Sequence, residues 1–274
     1  MINIEQINFG YKRKTPILEN LSLQFGKGGV YGVLGANGVG KTTLLHLLNG
    51  LIFPKKGQIS MDNHQPAHRS AAFLERIYYV PVELDLPNIK VSQYCARYAP
   101  FYPKFDKKTW EQALKTFKVD ADKKTSALSF GQKKKVIISF ALASGCDILL
   151  FDEPTDGLDI PSKDSFRSLL SAHTNEERIV IITTHHIHDI STLLDHLVVL
   201  QDTSLVVNAS ISGISEKMYT VTSTHLPASD QLLYSERVLG GYHCLVRNPV
   251  GHEGPLDLEL LFKALLANPQ LLSQ

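Results

Sequence analysis

The sequence predicts an α/β fold, a mainly parallel sheet with helices packed on its faces, built around a phosphate-binding loop. Three observations carry that expectation. Apolar runs of strand length alternate with amphipathic helical stretches through most of the 274 residues. One run, VYGVLG, leads directly into the glycine-rich GANGVGKTT. Another, ILLFDEP, ends in two adjacent carboxylates.

Taken in order, MINIEQINF and LSLQF read as short strands divided by the turn-rich GYKRKTPI. VYGVLG (30–35) reads as a buried strand ending in glycine. KTTLLHLLNGL follows as a helix whose leucines 44, 45, 47, 48 and 51 cover a broad apolar face, with Gly50 as the stop and Pro54 beyond it. GQISMDN and RIYYVP read as further strands. Residues 88–145 change character and read as a mainly helical insert. Within it, Asp106 is an N-cap candidate, and Trp110, Ala113, Leu114 and Phe117 follow at helical spacing. KKVIISFALASG is a second helix, stopped by Gly145. From residue 147 the alternation returns: DILLFDEP as strand, PSKDSFRSLLSAH as helix with Pro161 near its start, RIVIITTH as strand, IHDISTLLDHL as helix and LVVLQD as strand. Beyond about residue 202 the pattern weakens. SLVVNAS, MYTVTST and YHCLVR read as strands and LDLELLFKALLAN as a closing helix. The expected organisation is therefore a main domain over 1–202, with its helical subdomain at about 88–145, and a mixed β/α appendage over 203–274.

Composition narrows the function. Apolar residues make up 43% of the chain, enough for a substantial core, and the net charge is +1. A nucleic-acid binder usually shows a basic excess or stripe, so no nucleic-acid partner is expected. Cys95, Cys146 and Cys244 are odd in number and widely spaced, which reads as reduced thiols in a cytosolic setting. The start MINIEQINFGYKRK lacks the pattern of a signal peptide. No apolar run reaches the roughly 18 residues that span a bilayer.

GANGVGKTT (35–43) matches G-x-x-x-x-G-K-[ST], between an expected strand and an expected helix. The bare pattern arises by chance in a chain of this length on the order of one per cent of the time. Gly35, Gly38 and Gly40 let the backbone bend and turn its N–H groups inward, and the helix start adds donors and positive dipole. Lys41 would reach the β/γ-phosphates and the Thr42 hydroxyl would ligate Mg²⁺. Asp152 and Glu153 stand at the C-terminal end of a buried strand, where ligands bind in such sheets. Asp152 would hold the Mg²⁺ water shell, and Glu153 would polarise a water in line with the γ-phosphate. TTHHIHDI carries His185, His186 and His188. Histidine clusters can bind Zn²⁺. No cysteine lies nearby in sequence and no H-E-x-x-H is formed, so the preferred reading is His185 alone at a γ-phosphate, with His186 and His188 on the surface at the start of the next helix. LSFGQKKK (128–135) is almost a phosphate-contacting signature, with Phe130 where a glycine is expected. The run Lys133 to Lys135 opposes the dipole of a helix start. Nearby phosphates and a plain solvated face explain it equally well.

The ordered set GANGVGKTT (Walker A), LSFGQ (signature), ILLFDEP (Walker B), TDGLD (D-loop) and TTH (H-switch) resembles the nucleotide-binding subunits of ABC transporters, from about Tyr11 to Asp202. The resemblance implies a P-loop NTPase fold of ABC ATPase type: an antiparallel β subdomain, a helical insert, and here a small C-terminal appendage. It implies ATP and Mg²⁺ as cofactors, with Glu153, His185 and Lys41 as catalytic residues and Thr42 and Asp152 at the metal. Gly35, Ala36, Asn37, Gly38, Val39, Gly40, Lys41, Thr42 and Thr43 would wrap the nucleotide, and Tyr11 would stack on adenine. A second ATPase subunit would pack head to tail, so that Ser129 and Gly131, with Gln132 nearby, reach the ATP of the other copy and Asp159 joins the two sites. Phe130 would then point away from the nucleotide and pack on the insert or on the opposing subunit, while close approach at Gly131 forbids a side chain. The partner implied is a membrane permease on a separate chain, which places this one in the cytoplasm against the inner face of the membrane. FYPKFD…FKVDADKKTSALSFGQKKK looks most like single-domain bacterial ATPases of export-type systems.

One departure stands out. After a strand like RIYYVP the family usually places a glutamine that ligates Mg²⁺ and senses the permease. Here Val82 stands in that place, with Glu83 next. Valine cannot ligate a cation, which leaves Glu83, a water, a different coupling at this loop, or plain packing of Val82 against the core. Two other functions fit parts of the pattern. A soluble ABC ATPase acting on ribosomes or nucleic acid would usually need two cassettes or a long coiled coil, and the chain shows neither. A nucleotide-binding regulator with impaired hydrolysis is the reading that Val82 leaves open.

Overall fold

The computed structural model describes residues 1–12, 15–26, 28–248, 251 and 254–272. β1 (Ile2–Phe9), β2 (Leu18–Phe25) and β3 (Gly29–Leu34) lead into α1 (Lys41–Leu48), followed by β4 (Lys56–Met61), α2 (Ala71–Leu74) and β5 (Ile77–Val80). Next come three helices, α3 (Val91–Tyr98), α4 (Lys107–Thr116) and α5 (Phe130–Ala143). The chain continues with β6 (Ile148–Asp152), α6 (Ile160–His173), β7 (Ile179–Thr183), β8 (His196–Gln201), β9 (Ser204–Ser210) and α7 (Ile211–Ser215). It closes with β10 (Met218–Ser223), β11 (Leu232–Val238), β12 (Gly241–Arg247) and α8 (Leu258–Ala267).

The near-continuous apolar runs become the central sheet, because only a strand covered on both faces tolerates them. Its order is β5-β6-β7-β3-β8-β9, and every pair but the last is parallel. All five residues of β6 and of β7 are buried. Successive residues serve opposite cores. Leu149, Phe151, Val180 and Ile182 join the cluster under the helical insert. Ile148, Leu150, Ile179 and Ile181 join α1 and the antiparallel sheet β2-β1-β4. Leu44, Leu45, Leu47 and Leu48 of α1 fill that second core, each burial contributing about 1.5–3 kcal/mol. This clamps the phosphate loop between sheet and helix.

The insert folds as expected where capping and spacing agree. The Asp106 carboxylate accepts from the N–H groups of Lys108 and Thr109 at the start of α4. Phe140 of α5 is fully buried and touches the rings of Tyr78, Tyr94, Tyr102, Phe105 and Trp110. This fixes α5 against β5 and α4.

Two expectations about elements are corrected. IHDISTLLDHL is not an α-helix but two short 3₁₀ turns, Ile187–Asp189 and Ser191–Leu193. α6 takes a group that a helix would use: Arg167 donates to the Asp189 carbonyl at 3.0 Å, while Lys163 Nζ lies 2.6 Å from the Asp189 carboxylate. The central sheet also does not end at residue 202. SLVVNAS, expected in the appendage, is β9, folded back on β8 through Asp202 in a left-handed conformation (φ 55°) and paired antiparallel as the sheet's edge. An antiparallel partner needs only a tight turn, which the run of strand residues on both sides of Asp202 and Thr203 permits. What remains beyond it is α7, the sheet β10-β12-β11 and α8. Among the described residues these form no separate core. Leu245, Leu258, Leu261 and Leu265 share the insert-side cluster with Ile187, Ile190 and Leu194 of the turns after β7.

Candidate functional site

The loop between β3 and α1 exposes Ala36, Asn37 and Gly38, while Val39 turns inward as a packing residue. Gly40 is the N-cap of α1 at φ 110°, a conformation that disfavours any other residue, and it offers no side chain to the helix start. The first N–H groups of α1 are thus left to an incoming anion. Lys41 is only 7% exposed, and its Nζ donates to the carbonyls of Gly35 at 2.8 Å and Ala36 at 3.2 Å. Burial lowers its pKa, opposed by the charges of Glu153 and Asp152. Thr42 is exposed at the helix start, and Thr43 is buried.

Asp152 and Glu153 end β6 next to β7. Asp152 pairs in register with Thr183, whose hydroxyl donates to its carboxylate at 2.6 Å. The Tyr79 hydroxyl from β5 donates to the other carboxylate oxygen at 3.2 Å and also meets His46 Nε2 of α1 at 3.0 Å. Burial, then the Asp152 charge, raises the Tyr79 phenol, which keeps it a donor. Burial lowers His46, opposed by Asp152. Glu153 sits at φ 46°, a strained position for a residue with a side chain, costing about 1 kcal/mol. Its N–H donates to the Thr183 carbonyl, and its carboxylate accepts the His185 N–H at 3.3 Å and lies 3.0 Å from His185 Nδ1. The strain therefore points one carboxylate at His185. Lys41, Asp152, Glu153 and His185, expected from separate motifs, form one constellation at adjacent strand ends.

The signature residues lie elsewhere in the chain's own hydrogen bonding. Ser129 caps α5: its Oγ accepts from the Gln132 N–H, and Gln132 Oε1 accepts from the Ser129 N–H, a reciprocal capping box. A Cβ on Gly131 would stand 2.5 Å from the Gly157 carbonyl oxygen. The close approach at Gly131 is thus to the chain's own TDGLD loop. Phe130 is 46% exposed, and the contact it makes is also with its own chain: its ring lies against Gly157 and beneath the Lys134 ammonium. Asp159 caps α6 through the Ser162 N–H and is exposed. Tyr11 is 63% exposed, edge-on to Phe9.

The basic run after the signature reads differently in three dimensions. Lys134 is fully buried, which neither a solvated face nor a phosphate contact anticipated. Val82 is half-buried, and the neighbours that pack on the insert-side core are Leu84, Leu86 and Ile89. The structure also adds a neighbour to the histidines: Asp156, His185 and His186 have ligand atoms within 4.8 Å of one another. Sequence spacing missed Tyr79, Thr183, Lys134 and Asp156. Thr183 alone left a signal, as a polar residue closing an apolar strand beside ILLFDEP.

Thr42 and Asp152 offer hydroxyl and carboxylate oxygens, the hard donors that Mg²⁺ takes, so the residues present fit that ion, while Val82 adds none. Bound there, the ion would offset phosphate charge.

A profile of the ABC transporter family matches residues 18–156. The chain is 33% identical to the uncharacterized ABC transporter ATP-binding protein YybJ of Bacillus subtilis, over 70% of this chain and 89% of that one. It is 28% identical to the energy-coupling factor transporter ATP-binding protein EcfA3 of Clostridium perfringens, over 82% and 83%. A solved structure described as the ATP binding subunit of an ABC transporter superposes with a TM-score of 0.71 at 20% identity, over 78% of this chain and 91% of that one, a likeness of fold.

Proposed function

We propose, from the premise that this chain belongs to the ABC transporter family of ATP-binding ATPases, that it powers a separate membrane permease through cycles of ATP-driven dimerisation and hydrolysis. The observation that carries this reading is the single constellation of Lys41, Asp152, Glu153 and His185 at the ends of β3, β6 and β7. Lys41 would leave the Gly35 and Ala36 carbonyls for the β/γ-phosphates. Glu153, held by His185, would take a proton from the attacking water, and His185 would bear on the γ-phosphate. Thr42 and Asp152 would hold Mg²⁺. The capping box leaves Ser129 exposed at a helix start, suited to grip the ATP of a second, head-to-tail copy, with Asp159 between the sites. Tyr11 has the exposure that stacking on adenine needs.

Among the described residues no helix is long and apolar enough to cross a membrane. The permease in this reading is a separate chain, by likeness to relatives described as ATP-binding proteins of transporters, and it would hold this one at the inner face of the membrane. Export is the direction we favour, on the likeness of FYPKFD…KKK to ATPases of export-type systems. The completeness of the Glu153–His185 pair favours hydrolysis over a purely regulatory role for bound nucleotide. Glu153→Gln tests the core of the reading. It should lower MgATP turnover by about 10²-fold or more and trap an ATP-bound dimer visible by size exclusion. Unchanged turnover would overturn the assignment of the base. Flux measured with the co-purifying permease in vesicles decides direction.

A further inference from the structure

Two features of the sequence depart from the family pattern, Phe130 in the signature and Val82 in the loop after β5. Both meet one side chain. Lys134 lies on the buried stripe of α5, four residues after Phe130 and four before the fully buried Ile138. Its side chain is 0% exposed. Its Nζ donates to the Glu153 carbonyl at 3.2 Å and to the carbonyls of Pro81 and Val82 at 3.4 Å. The Phe130 ring centroid is 5.5 Å from the same nitrogen. Burying an ammonium is costly unless its donors are used and its charge is offset. Here three carbonyls accept from it and an aromatic face covers it. Burial lowers its pKa, and the charges of Asp156, Asp152 and Glu153 oppose that shift.

We propose that Lys134 is a positioning residue for hydrolysis: its ammonium ties the signature helix to the backbone of Glu153 and to the backbone of the loop at Val82. The strained turn at Glu153 needs such a tie. A residue at φ 46° keeps its place only if its surroundings fix the flanking peptides. The Glu153 N–H is held by the Thr183 carbonyl, and the Glu153 carbonyl is held by Lys134. Between those two anchors the carboxylate is directed to His185. Removing the second anchor frees the peptide without touching the phosphate loop, whose carbonyls are held by Lys41. The loss belongs to turnover and not to ATP binding. The same helix begins at Ser129, so nucleotide gripped there by a second copy would bear on this chain's own Glu153 through Lys134. This inference rests on the ATPase reading above.

The test uses the full chain carrying Lys134→Met or Lys134→Gln, with MgATP as the probe. Met keeps the volume and removes every donor, whereas Gln keeps two N–H donors on a shorter stem. Expected for Lys134→Met is a fall in kcat of about tenfold or more with KM for ATP within about twofold of the parent. Lys134→Gln should lose less, about threefold to tenfold, again without a change in KM. If the Met variant does not fold, the kcat of the Gln variant decides alone. Parental kcat in the folded variants, or a loss confined to KM, overturns the proposal. A parent chain that does not hydrolyse MgATP overturns the ATPase reading instead, so the two failures are distinguishable.

Discussion

Lys41 and Lys134 approach the end of β6 from two different helices, and they are chemically alike and informationally opposite. Both are buried, both donate to backbone carbonyls, and burial pushes both pKa values down while Asp152 and Glu153 push them up. Lys41 stands in a motif whose spacing announces it. Lys134 stands in a run of three lysines that reads equally as a solvated helix start and as a contact with nearby phosphates. Local chemistry made the first legible, because a phosphate loop needs its lysine at one fixed offset from its glycines. Only packing made the second a buried group, because α5 must turn that face toward β5 and the strained turn at Glu153.

Substitutions at the two lysines and their neighbours separate their roles. Lys41→Met should have the largest effect, a loss of about 10²-fold or more in kcat/KM with ATP affinity falling as well, measured by titration and steady-state turnover. A fall in kcat alone would make the two lysines equivalent and erase the contrast. Phe130→Gly strips the aromatic cover from Lys134 and should lower turnover only about twofold to fivefold while ATP-driven dimerisation persists. Ser129→Arg should abolish that dimer. Loss of the dimer in Phe130→Gly would mean that the ring itself belongs to an interface. Tyr79→Phe should matter least. It removes one of the two hydroxyls on Asp152 and leaves Thr183, so a stability loss of about 1 kcal/mol by denaturant titration is expected, with turnover within about threefold. A much larger loss of turnover would show that Thr183 alone does not hold Asp152.

The same division between motif and packing runs through the fold. The buried strands were legible because runs such as RIVIITTH permit nothing else. Asp106 was legible as a cap because its partners are its own neighbours. The turns after β7 were not, because the Asp189 carbonyl is taken by Arg167, twenty-two residues upstream. Nor was the place of β9: SLVVNAS, read as part of the appendage, joins the main sheet through pairing with β8 that its own residues do not encode. Thr183 and Tyr79 reach Asp152 only through strand register, Asp152 opposite Thr183 and β5 beside β6. No spacing along the chain encodes that.

The α/β class, the glycine-rich loop, the acids at the end of β6 and the histidine beside them were legible in the residues alone. Each is a local pattern whose chemistry demands fixed residues at fixed offsets. Packing between segments set the strain of Glu153 toward His185, pressed Gly131 against the Gly157 backbone, and drew one of three adjacent lysines inside against the Glu153 carbonyl. Those are contacts between segments far apart in the chain, set by how helices and strands pack.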